Sequence, residues 1–416
     1  MQDPPATVSA DPGAPVFEWV LRAELDAGIK PGGVEAMRAI VQAQVAAGDL
    51  PGAVVALARH GTLFFYEAFG LKDLETGEAM RVDDVFRMAS STKPLTATCI
   101  LMLMEEGALD LDDPVSRFLP EFAELRVAVV SDGTADDQAR TSTEAARRQI
   151  TIRDLLTHTS GLSSIDLTLQ PGPGSRMNPI RRAPEDTLAT YVPRLAGAIL
   201  DFQPGSAWRY SPLDPFDVAL RIVELASGHE ASAFMKARIL EPLDMRDTVF
   251  NLRDDQRDRL VGLYGRQDGA WRPAPHILGT DDATPYVSGA GGLYGTARDF
   301  LHFELMLLGK GVFNGRRILR PETVEQMSCN HVGSLFAECF PPLTGGMGFG
   351  LSVGVVDDPD NAKSRANGAF GWGGAYGTES WADPALDVAG VVLIQVTTGS
   401  AVVPELQAAL RKSLTD

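Results

Sequence analysis

The sequence predicts an α+β fold, in which an antiparallel sheet flanked by helices is built from both ends of the chain. Near the amino terminus, apolar runs at 53–58 and 63–66 flank His60-Gly61, a pattern typical of a β-hairpin. A further strand-like run covers residues 388–396 near the carboxyl terminus. Helical signals dominate between them, from 186 to 243. Strands at both ends with helices between them indicate a sheet domain that carries a helical insertion.

The chain divides into three predicted parts. Residues 1–30, rich in proline, alanine and aspartate, are expected to form an extended amino-terminal arm. A first helix is expected over 34–47, where apolar side chains recur near helical spacing. Residues 31–105 and 281–416 are then assigned to the α/β domain, and residues 106–280 to an all-helical domain inserted into it.

Several segments of the insertion and of the carboxyl terminus have their own signals. A short capped helix is expected in 151–162, ending at Gly161. Further helices are expected over 214–227 and 403–414. The polar or proline-rich stretches 131–148 and 163–184 predict exposed loops that shape the substrate pockets.

Charge and hydropathy exclude several classes of function. The chain has 416 residues and a formal net charge of -18 at pH 7. This charge repels phosphate backbones and anionic membrane surfaces, so no nucleic-acid partner is expected. No apolar run approaches the ~18 residues that would span a bilayer, so no membrane partner is expected either. The first residues lack the basic region and apolar core of a secretory signal, and we expect a cytoplasmic protein.

Cysteines and histidines give no sign of a metal site. The 3 cysteines, Cys99, Cys329 and Cys339, are widely spaced and predict reduced thiols. The 6 histidines show neither the His-x-x-x-His nor the His-Glu-x-x-His spacing of metal ligands. We therefore expect no metal and no cofactor. No pattern in the sequence indicates the oligomeric state.

The stretch 86–96 is the predicted centre of the chemistry. Ser90 and Lys93 form a Ser-x-x-Lys pair at the start of a helix that is expected to be buried, where residues three apart lie on one face. A serine hydroxyl is a poor nucleophile until a neighbouring base takes its proton, and a lysine amine can do so. A helix start also offers unpaired N–H groups and a positive dipole end to the negative charge of acyl transfer. The alternative is a helix cap beside a solvated lysine, since chance alone supplies roughly one or two such pairs in a chain of this length.

Two more segments carry candidate functional residues. Tyr210 follows a Pro-Gly turn and precedes a helix. It can shuttle a proton only if a cation such as Lys93 stabilises its phenolate, because a free tyrosine titrates near ~10. The glycines of Trp372-Gly373-Gly374 let a strand backbone approach a bound acyl group, and the N–H of Ala375 could join that of Ser90 in an oxyanion hole. Taken alone, an aromatic residue beside a turn, such as Tyr210, more often serves only packing. The glycine-rich segment, taken alone, is equally well explained as a turn.

In this order, Ser90-x-x-Lys93, Tyr210-Ser211 and Trp372-Gly373-Gly374 resemble the class C β-lactamase-like serine hydrolases. The best match is their esterase branch, the family VIII carboxylesterases. Segments at 158–162, 242–245 and 289–294 also look like that family, so the resemblance covers roughly residues 35–414.

The resemblance implies a β-lactamase/transpeptidase-like fold with the active site in the cleft between the two domains. It implies that Ser90 is the acylated nucleophile, and that Lys93 and Tyr210 remove its proton and later activate water. It also implies that the N–H groups of Ser90 and Ala375 form the oxyanion hole. A small-molecule ester would then bind beside them. The expected substrate-binding residues are Trp208, Trp372, Gly373, Gly374 and Tyr376.

Two departures from the β-lactamase pattern bear on the substrate. Where β-lactamases have Tyr-x-Asn, this chain has Tyr210-Ser211-Pro212, which lacks the amide that grips a β-lactam side chain. Where they have Lys-Thr-Gly, it has Trp372-Gly373-Gly374, and an indole cannot replace the lysine charge. We therefore expect a serine carboxylesterase that acts on short-chain or small apolar acyl esters, with weak β-lactamase activity at most.

Other functions stay open at this point. The same machinery also suits amide or D-peptide hydrolysis and acyl transfer to an alcohol or amine. A third interpretation is a catalytically silent protein that binds ligands in the same cleft, although a silent site has no need of Ser90, Lys93 and Tyr210 together.

One motif points elsewhere and is discounted. Residues 350–354 read Gly-Leu-Ser-Val-Gly and match the Gly-x-Ser-x-Gly nucleophile elbow of other esterases. That elbow requires a strand, a sharp turn and then a helix. Here Ser352 lies in an alternating apolar run, and no helical pattern follows it. We therefore expect Ser352 to be an ordinary strand residue.

Overall fold

The computed structural model describes residues 16–130, 141–166, 169–339, 344–358, 360 and 365–415. The strands, in chain order, are β1 Gly52–Arg59, β2 Thr62–Asp73, β3 Glu78–Ala79, β4 Phe86–Arg87, β5 Arg126–Val130, β6 Thr141–Ala145, β7 Ile199–Leu200, β8 Tyr264–Gln267, β9 Ala270–Pro273, β10 Tyr294–Gly295, β11 Val312–Phe313, β12 Arg316–Arg317, β13 Met347–Phe349, β14 Gly354–Val356, β15 Phe370–Gly373, β16 Thr378–Asp383 and β17 Val388–Leu393.

The helices complete the architecture. The α-helices are α1 Gly33–Ala46, α2 Lys93–Glu105, α3 Ile152–Leu156, α4 Pro173–Met177, α5 Leu188–Tyr191, α6 Asp214–Ser227, α7 Ala231–Met235, α8 Asp254–Arg257, α9 Ala297–Leu308, α10 Pro321–Met327, α11 Leu335–Cys339 and α12 Val402–Ser413. Short 3₁₀ turns include Glu24–Ala27, Ala89–Thr92, Val115–Arg117, Pro120–Ala123 and Val192–Gly197, and a π turn covers Lys236–Leu240.

One antiparallel sheet joins the two ends of the chain. Its strand order is β13-β14-β15-β16-β17-β1-β2-β3. The join is the pairing of β1 with β17, in which Val55 lies opposite Val392 and Ala58 opposite Ala389. The predicted antiparallel sheet flanked by helices is confirmed.

The sheet is buried on both faces because helices pack against each. The alternation of side chains along β1 sends Val55 and Leu57 to a core shared with α1 and α12, and Val54 and Ala56 to a core shared with α2 and α9. Every residue of β1 is buried, which explains why its sequence up to Ala58 is continuously apolar rather than alternating. Burial of each large aliphatic side chain stabilises the fold by about 1.5–3 kcal/mol.

The predicted hairpin is present and has a tight turn. β1 and β2 are joined by His60 and Gly61, whose φ angles are +52° and +65°. Positive φ at both central residues is the geometry that matches the right-handed twist of the flanking strands. Glycine takes it without strain, which is the physical basis of the His60-Gly61 signal.

The inserted part differs from the all-helical domain that the sequence analysis expects. β5 pairs with β6 and with β7, and β8 pairs with β9, so helices there are accompanied by two small sheets. In runs of four or five residues, periodicity alone cannot distinguish a strand from a segment of helix. α3 also ends at Leu156, not at Gly161. Residues 131–140 of the predicted 131–148 loop, and 167–168 of the 163–184 loop, lie outside the described residues.

Two findings bear on membrane and metal interactions. No helix in the part of the chain that the structure describes combines the length and the apolar character needed to cross a membrane. Across those same residues, no group of three or more His, Cys, Asp or Glu side chains could hold a metal ion.

A buried glutamate under the sheet gives a prediction about pH. Glu304, on α9, is 1% exposed; its Oε1 accepts a 2.6 Å hydrogen bond from Ser380, and its Oε2 has no partner among the described residues. Burial raises the pKa of this carboxyl to about 8. Between the ordinary glutamate pKa and about 8, the folded state therefore holds a proton that the unfolded state has lost, and stability falls as pH rises.

We expect Glu304→Gln to remove this dependence, because the amide resembles the protonated acid. The difference in melting temperature between Glu304→Gln and the parent should be small at pH 5 and should grow by roughly 5 °C up to pH 8. Differential scanning calorimetry over this range measures it, with the exposed Glu185→Gln as control. A difference that stays constant from pH 5 to pH 8 would contradict the prediction.

Candidate active site

Ser90 lies between the short strand β4 and the largely buried helix α2. It belongs to the 3₁₀ turn Ala89–Thr92, which leads directly into α2. Ala89 has a φ of +45°, an uncommon value for a residue other than glycine, and such backbone strain is frequent at functional sites. Pro94 occupies the first turn of α2, where its missing N–H leaves no hydrogen bond unmade. The Ser90 side chain is only half-buried, at the open end of this helix.

The Lys93 side chain is fully buried and surrounded by acceptors. Its Nζ lies 3.0 Å from Ser90 Oγ, 2.8 Å from the carbonyl oxygen of Pro212 and 2.9 Å from that of Ala290. The Nζ also lies 5.2 Å from the ring centroid of Tyr210 and 5.3 Å from that of Phe216. These contacts hold the amine against the serine hydroxyl.

Tyr210 reaches Ser90 from the inserted part of the chain. Its hydroxyl donates a 2.5 Å hydrogen bond to Ser90 Oγ. Its own carbonyl accepts a hydrogen bond from the Ile165 N–H, and α6 begins shortly after it. The structure thus brings Ser90, Lys93 and Tyr210 within hydrogen-bond distance around one oxygen atom.

The hydrogen bonds allow two arrangements of the same protons. An ammonium on Lys93 donates to all three of its acceptors. A neutral amine donates to the two carbonyls alone, and its lone pair then faces the Ser90 hydroxyl. In the first arrangement Tyr210 is a phenolate, and in the second it is a phenol that donates to Ser90 Oγ. The arrangement therefore suits removal of the serine proton by either partner.

Buried acids and bases around Lys93 have shifted pKa values. Asp217, on α6, accepts hydrogen bonds from Tyr286, Ser288 and the Ala290 N–H, and burial raises its pKa to about 6. Burial and the charge of Lys93 hold the pKa of His158 well below its usual value. Through its hydrogen bond from the Ala290 N–H, Asp217 anchors the backbone segment whose carbonyl accepts a hydrogen bond from Lys93.

The segment with the predicted oxyanion-hole donor is fixed to the Ser90 turn. Buried Thr378 donates to the Met88 carbonyl at 2.9 Å and shares a 2.9 Å hydrogen bond with Ser91. A methyl group on Gly374 would lie 2.4 Å from the Met88 carbonyl oxygen, so only glycine fits there. In the part of the chain that is described, the N–H groups of Ser90 and Ala375 have no acceptor, as an oxyanion hole requires.

A cavity of about 640 Å³ opens above the Ser90 hydroxyl. Its walls include Trp208, Leu213, Ile277, Phe336 and Trp372, and the backbone of Gly373, Gly374 and Ala375. Among the described residues that line it, Asp166 carries the only charge, and no lysine or arginine is present. The volume is that of a site for a drug-sized molecule.

Tyr376 lies elsewhere than the sequence analysis expects. Its side chain is 3% exposed and is not part of the cavity wall. The turn through Gly377, whose φ is +76°, directs the ring inward, where its hydroxyl accepts a 2.5 Å hydrogen bond from the Ile277 N–H. Tyr376 therefore positions a wall residue instead of forming the wall.

Several residues of the site have no signal in the sequence that would identify them. No sequence motif identifies the carbonyls of Pro212 and Ala290, because every residue type has a backbone carbonyl. Thr378 and Phe336 carry no pattern that distinguishes them from core residues. The segment that contains His158 stands out only through the family resemblance, and its ring, 4.7 Å from that of Tyr210 between centroids, lies inside the site.

Ser352 is not placed for catalysis. The expectation that it lies within a strand is wrong, because β13 ends at Phe349, β14 begins at Gly354, and Ser352 has a φ of +75° in the turn between them. The alternating apolar pattern is equally compatible with a tight turn whose apolar residues all face the core. Ser352 is fully buried, its Oγ has no partner in the described residues, and a strand follows it where an elbow has a helix.

Comparisons with known proteins agree with this geometry. The family model described as Beta-lactamase matches residues 37–413. Protein Rv1367c of Mycobacterium tuberculosis is 36% identical over 367 residues, covering 84% of this chain and 86% of that protein. Esterase EstB of Burkholderia gladioli is 34% identical over 387 residues, covering 88% of this chain and 91% of that protein.

A solved structure shares the fold over nearly the whole chain. EstCE1, described as a hydrolase with promiscuous acyltransferase activity, superimposes with a TM-score of 0.75 at 28% sequence identity, covering 91% of this chain and 98% of that one. The resemblance stated from the motifs is thereby confirmed, together with the β-lactamase/transpeptidase-like fold. The chain belongs to the beta-lactamase family and is a serine hydrolase related to the esterases of that family.

Proposed function

We propose that this protein hydrolyses carboxylic esters through a covalent acyl-enzyme on Ser90. The observation that carries the proposal is the convergence on one oxygen: Ser90 Oγ lies 3.0 Å from Lys93 Nζ and 2.5 Å from the Tyr210 hydroxyl. A nucleophile within reach of its base, with the base itself oriented by further groups, is the arrangement that activates a hydroxyl.

Acylation follows from these contacts. As Ser90 Oγ forms a bond to the ester carbonyl carbon, its proton passes to the Lys93–Tyr210 pair. The carbonyl oxygen gains the electron pair and the N–H groups of Ser90 and Ala375 stabilise its charge. When the carbon–oxygen bond to the leaving alcohol breaks, the alkoxide takes a proton back from the pair.

Deacylation reverses the roles with water in place of the alcohol. Water gives its proton to Lys93 and Tyr210 as it attacks the acyl carbon, and Ser90 Oγ recovers a proton as the acid leaves. The two carbonyl acceptors of Lys93, from Pro212 and Ala290, keep the amine in place through both steps. No metal or cofactor is needed for either half of this reaction.

The cavity supports a neutral, apolar substrate. Apart from Ser90, Tyr210, Asp166 and Thr344, the side chains that line it are indole, phenyl and aliphatic groups. The described residues that line it include no cation to pair with a carboxylate. At about 640 Å³, it also accommodates acyl or alcohol groups larger than the short chains expected from the sequence. The name of Esterase EstB is consistent with ester hydrolysis.

Acyl transfer is a second candidate function. EstCE1, which shares the fold, is a hydrolase that also has acyltransferase activity. In this chain Leu169 and Ile277, which are 73% and 49% exposed, form an apolar rim at the cavity. Such a rim favours binding of an apolar alcohol over water as the acceptor of the acyl group.

A panel of substrates tests the proposal. We expect neutral nitrophenyl esters to acylate the protein about 10–100-fold faster than penicillins or cephalosporins, because a carboxylate in this cavity lacks a charge-assisted partner. Intact-mass spectrometry detects the acyl adduct, and stopped-flow kinetics measure the rate at which it forms. Matched ester and amide substrates are compared, and an added apolar alcohol detects acyl transfer. Faster acylation by β-lactams than by esters would overturn the assignment.

A further inference from the structure

His158 is a buried group in the site that the proposed reaction does not use. It is 0% exposed and lies in the turn after α3, with a φ of +58°. Its carbonyl accepts a hydrogen bond from the Arg209 N–H, and its ring Nδ1 accepts one from the Ser211 N–H, both at 3.2 Å. The two chain neighbours of Tyr210 therefore both donate to one histidine.

The ring of His158 also contacts Tyr210 directly. The two ring centroids are 4.7 Å apart, and the rings of Phe216, Trp208 and Phe349 lie within 5.6 Å on other sides. Because a backbone N–H donates to Nδ1, the neutral imidazole carries its hydrogen on Nε2. Nε2 is buried and has no hydrogen-bond partner in the described part of the chain.

An unpaired N–H in an aromatic cluster costs stability, because the buried polar group has lost its hydrogen bond to water. A leucine or phenylalanine would fill the same space without that cost. What these residues cannot supply is an acceptor for the Ser211 N–H. A lysine or arginine here would add a second positive charge beside buried Lys93, whose charge already lowers the pKa of His158.

Hydrogen bonds of the neighbouring residue Thr159 fix the turn that carries His158. Thr159 donates a 2.9 Å hydrogen bond to Asp154, and Asp154 receives hydrogen bonds from Arg148 at 2.5 and 2.8 Å. The Gly205 N–H donates to the Thr159 carbonyl at 2.8 Å. These contacts fix the left-handed backbone of His158 and hence the position of its ring.

We propose that His158 is a positioning residue that holds Tyr210 against Ser90 by accepting the Ser211 N–H at Nδ1 as a neutral imidazole. The proposal rests on the proposed function, in which Tyr210 exchanges a proton with Ser90. It requires an acceptor at the position of Nδ1, not merely a side chain of similar size.

Asparagine and glutamine test this requirement as a matched pair. The side-chain oxygen of His158→Asn lies near the position of Nδ1, whereas that of His158→Gln reaches the position of Nε2. We expect His158→Asn to keep kcat for a nitrophenyl ester within about fivefold of the parent. We expect His158→Gln to lower kcat by about 30-fold or more with KM changed by less than about twofold, because displacement of a catalytic group by about 1 Å costs up to 10²-fold.

A packing role gives the opposite order, since glutamine replaces more of the imidazole volume than asparagine does. Equal or greater kcat for His158→Gln than for His158→Asn would therefore overturn the proposal. Should the glutamine variant not fold, as judged by circular dichroism, His158→Phe replaces it as the variant of similar size without an acceptor. Retention of the parent kcat by His158→Phe would equally overturn the proposal.

A double substitution separates this proposal from the proposed function. If His158 acts through Tyr210, His158→Gln should lower kcat no further in a Tyr210→Phe background. A Tyr210→Phe variant with the parent kcat would overturn the role of Tyr210, and the positioning role with it. A slow Tyr210→Phe variant combined with an unaffected His158→Gln variant would overturn the positioning role alone.

Discussion

Replacing Ser90 by alanine is expected to lower kcat for ester hydrolysis by a factor of about 10⁵ or more, because it removes the hydroxyl that forms the proposed acyl-enzyme. The loss should appear without loss of the fold. Ser90 is half-buried at the edge of the cavity and belongs to none of the apolar clusters of the core. The measurement is the rate of nitrophenyl ester hydrolysis, with intact-mass detection of the acyl adduct.

The chain supplies a matched control for this substitution. Ser352 has the sequence context of an esterase nucleophile but lies in a buried turn where, among the described residues, its hydroxyl has no partner. Ser352→Ala should keep most of the activity and most of the covalent labelling by a fluorophosphonate. Loss of labelling in Ser352→Ala with labelling intact in Ser90→Ala would move the nucleophile to the other serine and refute the site.

The contact between Ser90 and Lys93 could be predicted from the sequence because it is local. Residues three apart at a helix start face the same side whatever the rest of the chain does. The apolar run that follows likewise predicts the buried helix α2, in which Lys93 to Leu103 are all buried. Two local rules therefore place the proposed nucleophile beside its proposed base and predict the helix that carries Lys93.

The rest of the site depends on contacts between distant residues. The carbonyls that hold Lys93 lie 119 and 197 positions away in the chain, in Pro212 and Ala290. Tyr210 lies 120 positions from Ser90, and its place after a Pro-Gly turn is a weak signal that the family resemblance strengthens. A carbonyl has no sequence signature, and an aromatic residue beside a turn has a weak one, so pattern analysis alone could not assemble this cluster.

The direction in which side chains point was a second feature that could not be predicted from the sequence. Ala375 and Tyr376 are adjacent, yet the first faces the cavity and the second turns into the core through the reversal at Gly377. The alternating pattern around Ser352 similarly predicts a strand, whereas the chain reverses there. Short segments near glycines adopt turns whose direction depends on the packing around them, and the sequence does not specify that packing.

Replacing Lys93 by methionine is expected to lower kcat/KM for esters by about 10³-fold or more. The thioether fills a similar volume but can neither accept the serine proton nor stabilise a phenolate on Tyr210.

Two opposing effects of the Lys93→Met substitution act on stability. The carbonyls of Pro212 and Ala290 lose their donor, at about 1–3 kcal/mol each. A buried charge no longer has to be desolvated, which favours the variant. We therefore expect the melting temperature to move by only a few degrees.

The comparison with Tyr210→Phe shows whether the two groups act together. Both groups contact the same Ser90 oxygen, at 3.0 and 2.5 Å, so either is within reach of the serine proton. Groups that work as a unit lose activity in a strongly non-additive way. The double variant should thus be no slower than the slower of the two single variants, with burst-phase kinetics separating acylation from deacylation. Multiplicative losses would instead mean that Lys93 and Tyr210 serve separate steps, one accepting the serine proton and the other activating water.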